Sequence, residues 1–341
     1  MNQRLLAIAL PLLACLSSCG GKGHTLLQNA DGKIRVIHIA DAKWKQENAR
    51  TEMESILERF PQIDLVYAHN DPMAFGAAMA CKQKGRTGIR FVGVDGLASE
   101  GRKYVADGAI DATFEYPTGA ETAIDLALLA CSGVEVPKRV VLGTRTYTKA
   151  NLAAGGEAAP SPGEFVVANL HHQHGDVLST KPTTDVVFRI GMAQCTDGEP
   201  WRVAMREQLI AAAKRYPQVQ FDYRAADDDT EKQRGIVRDF ITQNYNAILV
   251  SPKESLALVA VAKEALGKGI KLIVLDRELG SDDYTAFVGG DNLAIGKAAG
   301  TAIGQLLPNG GTIVELQGLM TSSPAQERHN GFVEALGLKK P

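Results

Sequence analysis

The chain has 341 residues, of which 45% are apolar, and a formal net charge of −2. That length exceeds what one hydrophobic core usually serves, so two lobes are expected. With no basic excess and no polybasic tract, the charge balance argues against a nucleic-acid partner and against electrostatic adhesion to a membrane.

Met1-Asn2-Gln3-Arg4 carries a positive charge, and Leu5–Leu16 is an apolar run of signal-peptide length, too short to span a bilayer. It ends in Leu16-Ser17-Ser18-Cys19, which resembles a bacterial lipobox. Residues 1–19 therefore read as a signal peptide whose Cys19 accepts a lipid and becomes the mature N-terminus. The expected location is the periplasm or the cell surface of a bacterium, on a membrane anchor; the alternative is a soluble secreted protein cut near Ser18. Residues 20–32 are polar and read as a tether. Cys81, Cys131 and Cys195 remain beyond the leader. They are odd in number, fall on separate elements and show no metal-ligand spacing, so they read as buried free thiols, with no metal and no cofactor expected.

Lys33–Ala40 reads as a strand, and Lys43–Phe60 as a helix with Met53, Ile56, Leu57 and Phe60 on one face. Ile63–Ala68 is a short apolar strand, buried on both faces, that stops at His69-Asn70-Asp71. Pro72 starts a helix that ends at Gly85, and the strand Ile89–Val94 ends on Asp95-Gly96. A helix over Glu100–Ala106, a strand over Ile110–Glu115, a helix over Thr118–Cys131 and a strand over Arg139–Tyr147 follow. The stretch from Leu152 to Asp185 is rich in Ala, Gly, Pro, Ser and Thr and reads as a linker. His171, His172 and His174 cluster inside it. Without a Cys or acidic partner at ligand spacing they read as a solvated loop before a metal site.

Beyond the linker, strands at Val186–Ala193, Val219–Arg224, Asn246–Val250, Lys271–Leu275, Tyr284–Val288 and Thr312–Leu316 alternate with helices at Trp201–Arg215, Thr230–Asn244, Ser255–Leu266, Leu293–Leu307 and Pro324–Leu336. Thr230 is the expected cap of its helix. Strict alternation with short loops implies parallel sheets and right-handed crossovers. Asn246–Arg277 repeats the layout of Ile63–Gly96: apolar strand, polar turn, helix, apolar strand, Asp. Two similar lobes follow, each presenting an Asp at a strand end.

The polar groups at strand ends are Asn70, Asp71, Asp95 and Glu115 in one half, and Asp276, Arg277, Asp291 and Asn292 in the other. Trp201, Arg202 and Arg328 lie near helix starts. Carboxylates, amides and guanidinium forks suit a ligand with many hydroxyls, and an indole suits the C–H face of a sugar ring. Singly, an Asp at a strand end is a cap or turn former, and a Trp belongs to the core. As a set on the carboxyl ends of parallel strands they point to a cleft. No GxSxG elbow, Walker loop, HExxH or dinucleotide fingerprint competes, so the chain reads as a binding protein and not an enzyme. A hydrolase using the cleft carboxylates is the alternative.

Several stretches carry a family resemblance. QIDLVYAHNDPMAFGA, FVGVDG, DATFEYPTG and VVLGTRTYTKANL resemble the second half of bacterial periplasmic sugar-binding proteins of the ribose/galactose type. IGMAQCTDGEPWRVAM, NAILVSP, IKLIVLDRE, FVGGDNLAIGKAAG and IVELQGLMTSSPAQERHNGF resemble the first half. The Trp-Arg pair and the VYAHND and VELQG phrases are most similar to the galactofuranose-binding branch. The resemblance covers residues 33–152 and 186–337, with the halves in exchanged order, as in a circular permutant.

The resemblance implies an α/β protein of the type 1 periplasmic binding fold, two Rossmann-like lobes joined by a three-strand hinge. One lobe would hold residues 33–115, 144–152 and 311–341, the other 116–143 and 185–310, with residues 153–184 joining the usual termini. Crossings are expected near Glu115–Pro117, Gly143–Thr144 and Gly310–Gly311. By family position Asn70, Asp95 and Arg328 would bind sugar from one lobe and Asp276 and Arg277 from the other. Glu115 would sit at the hinge, with Trp201 and Arg202 covering the ligand. Asp71 and Asn292 are weaker sugar-binding candidates, the first also reading as a helix cap and the second as structural, and Asp291 reads as a cap. The implied partners are a monosaccharide and an ABC permease, or a membrane sensor, for a monomeric protein.

Overall fold

The computed structural model describes residues 25–181 and 187–341. The leader and Cys19 lie outside the described residues. No described helix is long and apolar enough to cross a membrane.

Two sheets form the two lobes. The first runs β1 (Leu27–Gln28), β2 (Ile34–Asp41), β14 (Gly311–Gln317), β3 (Leu65–Ala68), β4 (Arg90–Val92), β5 (Ala112–Phe114), β7 (Thr144–Thr148) and β8 (Glu157–Ala159). Strands β2 to β5 in that row are parallel, and β1, β7 and β8 pair antiparallel at the two edges. The second runs β10 (Val219–Ala225), β9 (Phe188–Gln194), β11 (Ala247–Ser251), β12 (Lys271–Leu275), β13 (Ala286–Gly290) and β6 (Arg139–Leu142), all parallel. The central strands β3 and β11 are buried at every residue, as their unbroken apolar runs require.

In the first lobe α1 (Gln46–Arg59), α2 (Asp71–Gln83) and the short α3 (Gly101–Ala106) cover one face, and α9 (Asn292–Leu306) and α10 (Ser323–Leu336) the other. In the second, α4 (Ala120–Cys131) and α6 (Pro200–Lys214) lie on one face, and α7 (Thr230–Thr242) and α8 (Val259–Gly267) on the other. The caps differ in detail from the sequence reading. Asn70, not Asp71, caps α2: its backbone is extended and its Oδ1 accepts the Met73 N–H at 3.0 Å. Asp229 rather than Thr230 caps α7, accepting the Lys232 N–H. Asp291 caps α9 as expected.

Two corrections concern how the lobes are divided. The third crossing falls after Gly290, not at Gly310–Gly311, because α9 packs along α10 in the first lobe. Small residues make that contact possible: a Cβ at Gly296 would collide with the Arg328 carbonyl, and one at Gly331 with that of Leu293. The linker is also not featureless. Residues 157–159 extend the first sheet as β8, and α5 (Pro162–Gln173) packs against β6 of the second lobe. The histidines thus stand on or beside a helix, with His171 Nε2 2.8 Å from the buried Asp125 carboxylate. Among the described residues no group of His, Cys, Asp or Glu could hold a metal ion. Cys81 and Cys195 are buried free thiols, whereas Cys131 is only half-buried.

The first and last described strand segments meet. Gln28 and Lys339 exchange backbone hydrogen bonds of 2.8 Å each way, so part of the expected tether is a strand at the sheet edge.

Gly296→Val is expected to lower unfolding stability by about 1–3 kcal/mol, the usual cost of overpacking. Urea denaturation followed by circular dichroism measures it. Gly304→Ala, inside the same helix with only a Leu336 methyl 3.6 Å away, serves as the control and is expected to be stabilising by up to about 1 kcal/mol.

Candidate functional site

The carboxyl ends of the two parallel sheets face each other across a cavity with an empty volume of about 290 Å³. From the first lobe and its crossing come Trp44, Asn70, Asp95, Tyr116, Pro324 and Arg328; from the second come Glu199, Trp201, Arg202, Asp276 and Arg277.

Asp276 ends β12 with φ at +61°, a backbone region that only Gly, Asn and Asp visit at low cost. Its carboxylate is 2.7 Å from Arg202 Nη2, and accepts hydrogen bonds from the Ser251 hydroxyl at 2.8 Å and the Tyr116 hydroxyl at 2.9 Å. Burial by itself would push the carboxyl up, but Arg202, Arg277 and the two hydroxyls outweigh it and hold it below the usual range. Burial likewise opposes the charge on Arg202, and Asp276 more than restores it. Arg277 donates from Nη1 to the Lys253 carbonyl at 3.2 Å and lies against Cys195 Sγ at 3.8 Å.

Arg328 belongs to α10 and is buried. It donates from Nε to Asn292 Oδ1 at 2.9 Å and from Nη1 to the His69 carbonyl at 2.5 Å, and Nη1 lies 3.4 Å from Asp95 Oδ1. Its guanidinium sits over the rings of Tyr116 and Trp44, 4.6 and 5.4 Å from their centroids. Asp95 mirrors Asp276: it follows its strand at φ +117°. Burial pushes its carboxyl up to about 8, with Arg328 pulling the other way and Glu199 adding to the rise. Burial also raises Glu199, against the pull of Arg202.

The residues expected from sequence divide. Asn70, Asp95, Trp201, Arg202, Asp276, Arg277 and Arg328 converge on the cavity. Asn70 is nonetheless occupied locally, since its Nδ2 donates to the Trp44 carbonyl at 3.1 Å while Oδ1 caps α2. Trp201 stacks on Tyr116, ring centroids 4.9 Å apart, and donates to the Tyr116 carbonyl at 2.8 Å. Asn292, a weaker ligand candidate, stands behind the cavity and joins Arg328 to the Tyr116 hydroxyl. Asp71 is buried under the loop that carries Asp95, accepting from the Gly96 N–H and the Thr113 hydroxyl. Burial, reinforced by Asp95, raises its carboxyl.

Glu115 lies outside the cavity. Its carboxylate accepts from the Tyr147 hydroxyl at 2.9 Å, and it lines a separate polar pocket beside the crossings. Alternation along a strand explains this: neighbouring side chains point to opposite sides, and it is Tyr116 that enters the cleft. Trp44, Tyr116 and Glu199 were missed. Trp44 and Tyr116 follow strand ends, the same signal that marked Asn70 and Asp95, and Glu199 immediately precedes the helix that carries Trp201.

Beneath Arg328, a buried cluster fixes the floor. Glu315 on β14 lies 2.9 Å from His69 Nε2 and 2.8 Å from His329 Nδ1.

A family model described as a periplasmic binding protein domain matches residues 22–134 and 190–340, well over half of the chain. The chain belongs to this family. It is similar to the ribose import binding protein of Bacillus subtilis, 28% identical over 145 residues, covering 42% of this chain and 47% of the relative. It is similar to the D-allose-binding periplasmic protein of Escherichia coli, 31% identical over 171 residues, covering 47% and 54%. The chain spans about half the length of such curated relatives. Among solved structures, a galactofuranose-binding protein aligns over 44% of this chain and 52% of its own at 27% identity, with a TM-score of 0.43.

Glu315 makes a pH prediction. Burial works against its charge, but the two histidines outweigh it and bring the folded carboxyl from 4.5 down to about 2. A depressed carboxyl stabilises the fold above its unfolded range, and this contribution disappears as pH falls toward 2. Glu315→Gln is expected to cost on the order of 3 kcal/mol at pH 7, a deficit that shrinks as pH is lowered to 2.5. Urea titrations at a series of pH values read it; a deficit constant with pH refutes the assignment.

Proposed function

We propose that this chain is an extracytoplasmic binding protein that captures one monosaccharide between its lobes and delivers it to an ABC permease. A membrane sensor is the alternative recipient. The observation that carries the reading is the set of unsatisfied donors on the cavity walls. Trp44 Nε1, Arg202 Nε and Arg277 Nε are buried with no hydrogen-bond partner among the described residues. Buried N–H groups without acceptors are costly, and they stand beside the carboxylates of Asp95, Glu199 and Asp276. Three guanidinium groups and three carboxyls around a small cavity offer both donors and acceptors. A neutral polyhydroxy ring meets that pattern, because each hydroxyl both donates and accepts. The names of two curated relatives, a ribose import binding protein and a D-allose-binding protein, support a sugar ligand, and a third, a xylitol-binding protein, extends the polyhydroxy class to an open-chain polyol.

We also propose that the chain is circularly permuted and lipid-anchored. The family match arrives as two segments on either side of the linker, and Gln28 and Lys339 lie hydrogen-bonded side by side. An edge between a helix and a strand tolerates new termini. The anchor rests on the Cys19 motif alone.

A thermal-shift panel of pentoses, hexopyranoses and hexofuranoses is expected to raise the melting temperature for at least one sugar, and flat curves throughout would sink the reading. With the best ligand, isothermal titration should show Asp276→Ala and Asn70→Ala each weakened at least about tenfold, the scale of a buried hydrogen bond to a charged or capping group. The sugar should be recovered unchanged after incubation; turnover would favour hydrolysis.

Affinity should also depend on pH. Asp95 is largely protonated below about 8 in the empty cavity, and sugar hydroxyls donating to it favour the carboxylate. Binding then releases a proton, so affinity is expected to rise between pH 6 and 8 and to level off above. Asp95→Asn should flatten the profile.

A further inference from the structure

The linker does more than join segments. Its β8 pairs with β7 of the first lobe through Thr144 and Ala159, Arg145 and Ala158, and Thr146 and Glu157. Two residues later α5 begins on the second lobe. The Ser161 hydroxyl donates to the Val141 carbonyl, and Gly163 sits so close to Val141 that a Cβ there would overlap its backbone. Leu170 and Leu178 enter the second lobe's side of the core, His171 meets Asp125 on α4, and Gln218 donates to the Val177 carbonyl at 3.1 Å. Residues 157–178 therefore grip both lobes firmly, with only Pro160 and Ser161 between the two grips.

Those two residues lie directly on another crossing. The chain passes from β6 of the second lobe to β7 of the first through Gly143 alone. A Cβ placed on Gly143 would lie 2.6 Å from Glu164 Oε1, 2.7 Å from the Ala159 carbonyl and 3.0 Å from Pro160 Cα. The backbone of Gly143 is thus enclosed by the segment beside it. Any rotation about Gly143 that parts the lobes must also move Ala159–Glu164, and the three Cα steps from Ala159 to Pro162 reach only about 10–11 Å at full extension.

We infer that residues 157–178 form a strap: a fourth inter-lobe connection, doubling the Gly143 crossing, that restrains how far the lobes open. Hinges work by concentrating φ/ψ change in a few residues. Here the most permissive of them is packed against a segment anchored on both sides. The inference concerns the empty protein and stands whether or not the ligand is a sugar.

The test severs the strap without removing it. A specific protease sequence is inserted between the exposed Pro160 and the half-buried Ser161 of the full chain, and the cleaved ligand-free protein is compared with the unmodified chain by small-angle scattering and circular dichroism, because the inserted residues by themselves already lengthen the span. The expected result is a rise in radius of gyration on cleavage with the helical signal unchanged. In the uncleaved background, Gly163→Leu, which lifts α5 off Val141, is expected to raise it as well. An unchanged radius after complete cleavage overturns the inference. So does a collapse of the helical signal on cleavage, which would make the segment a part of the second lobe's core and not a restraint between lobes.

Discussion

The buried Asp276 carboxylate is the interaction on which both lobes depend. It closes β12, draws Arg202 out of α6 and Ser251 from β11, and receives the hydroxyl of Tyr116 from the crossing. Through Tyr116 and Asn292 the same chain of contacts continues to Arg328, and from there to Asp95. A charge removed from water needs partners on several sides. At Asp276 those partners come from three elements and both sides of the cleft, so satisfying one ion also sets the distance between the lobes.

The walls of the cavity follow from this arrangement. Each guanidinium is partly engaged by protein, which fixes its plane, while Arg202 and Arg277 keep an edge unfilled. Each lobe offers an aspartate from a strained backbone at the end of a parallel strand. The repetition of that device in β4–Asp95 and β12–Asp276 makes the cleft nearly symmetric in chemistry, although the helices behind the two walls differ.

Most of the fold was legible because its signals are local. Short apolar strands, Pro at helix starts and Gly past helix ends mark the alternation, and the observed boundaries lie within a few residues of the expected ones. The echo between Ile63–Gly96 and Asn246–Arg277 located both aspartates. What was not legible depends on three-dimensional packing. The choice between Glu115 and Tyr116 at the crossing turns on which side of the strand faces the cleft, and Tyr147 on a neighbouring strand decides it. The helix over Pro162–Gln173 was hidden by composition, since Ala, Gly and Pro dominate the stretch; Ser161-Pro162 followed by Val166, Val167 and Leu170 was the available signal. The side on which α9 packs depends on Gly296 and Gly331 meeting carbonyls of the facing helix, which neither strand–helix order nor spacing reveals.

The position of β14 has a consequence for biogenesis. It is the last strand in sequence, yet it lies between β2 and β3, two of the first. As the chain emerges from N- to C-terminus, residues 34–68 present two buried-type strands with a gap between them that stays empty until Gly311–Gln317 arrives. The second lobe's strands, by contrast, all lie within residues 139–290 and are complete before that point. The second lobe can therefore condense first, while the first waits as an open sheet with two unpaired inner edges, the kind of surface on which chains pair wrongly.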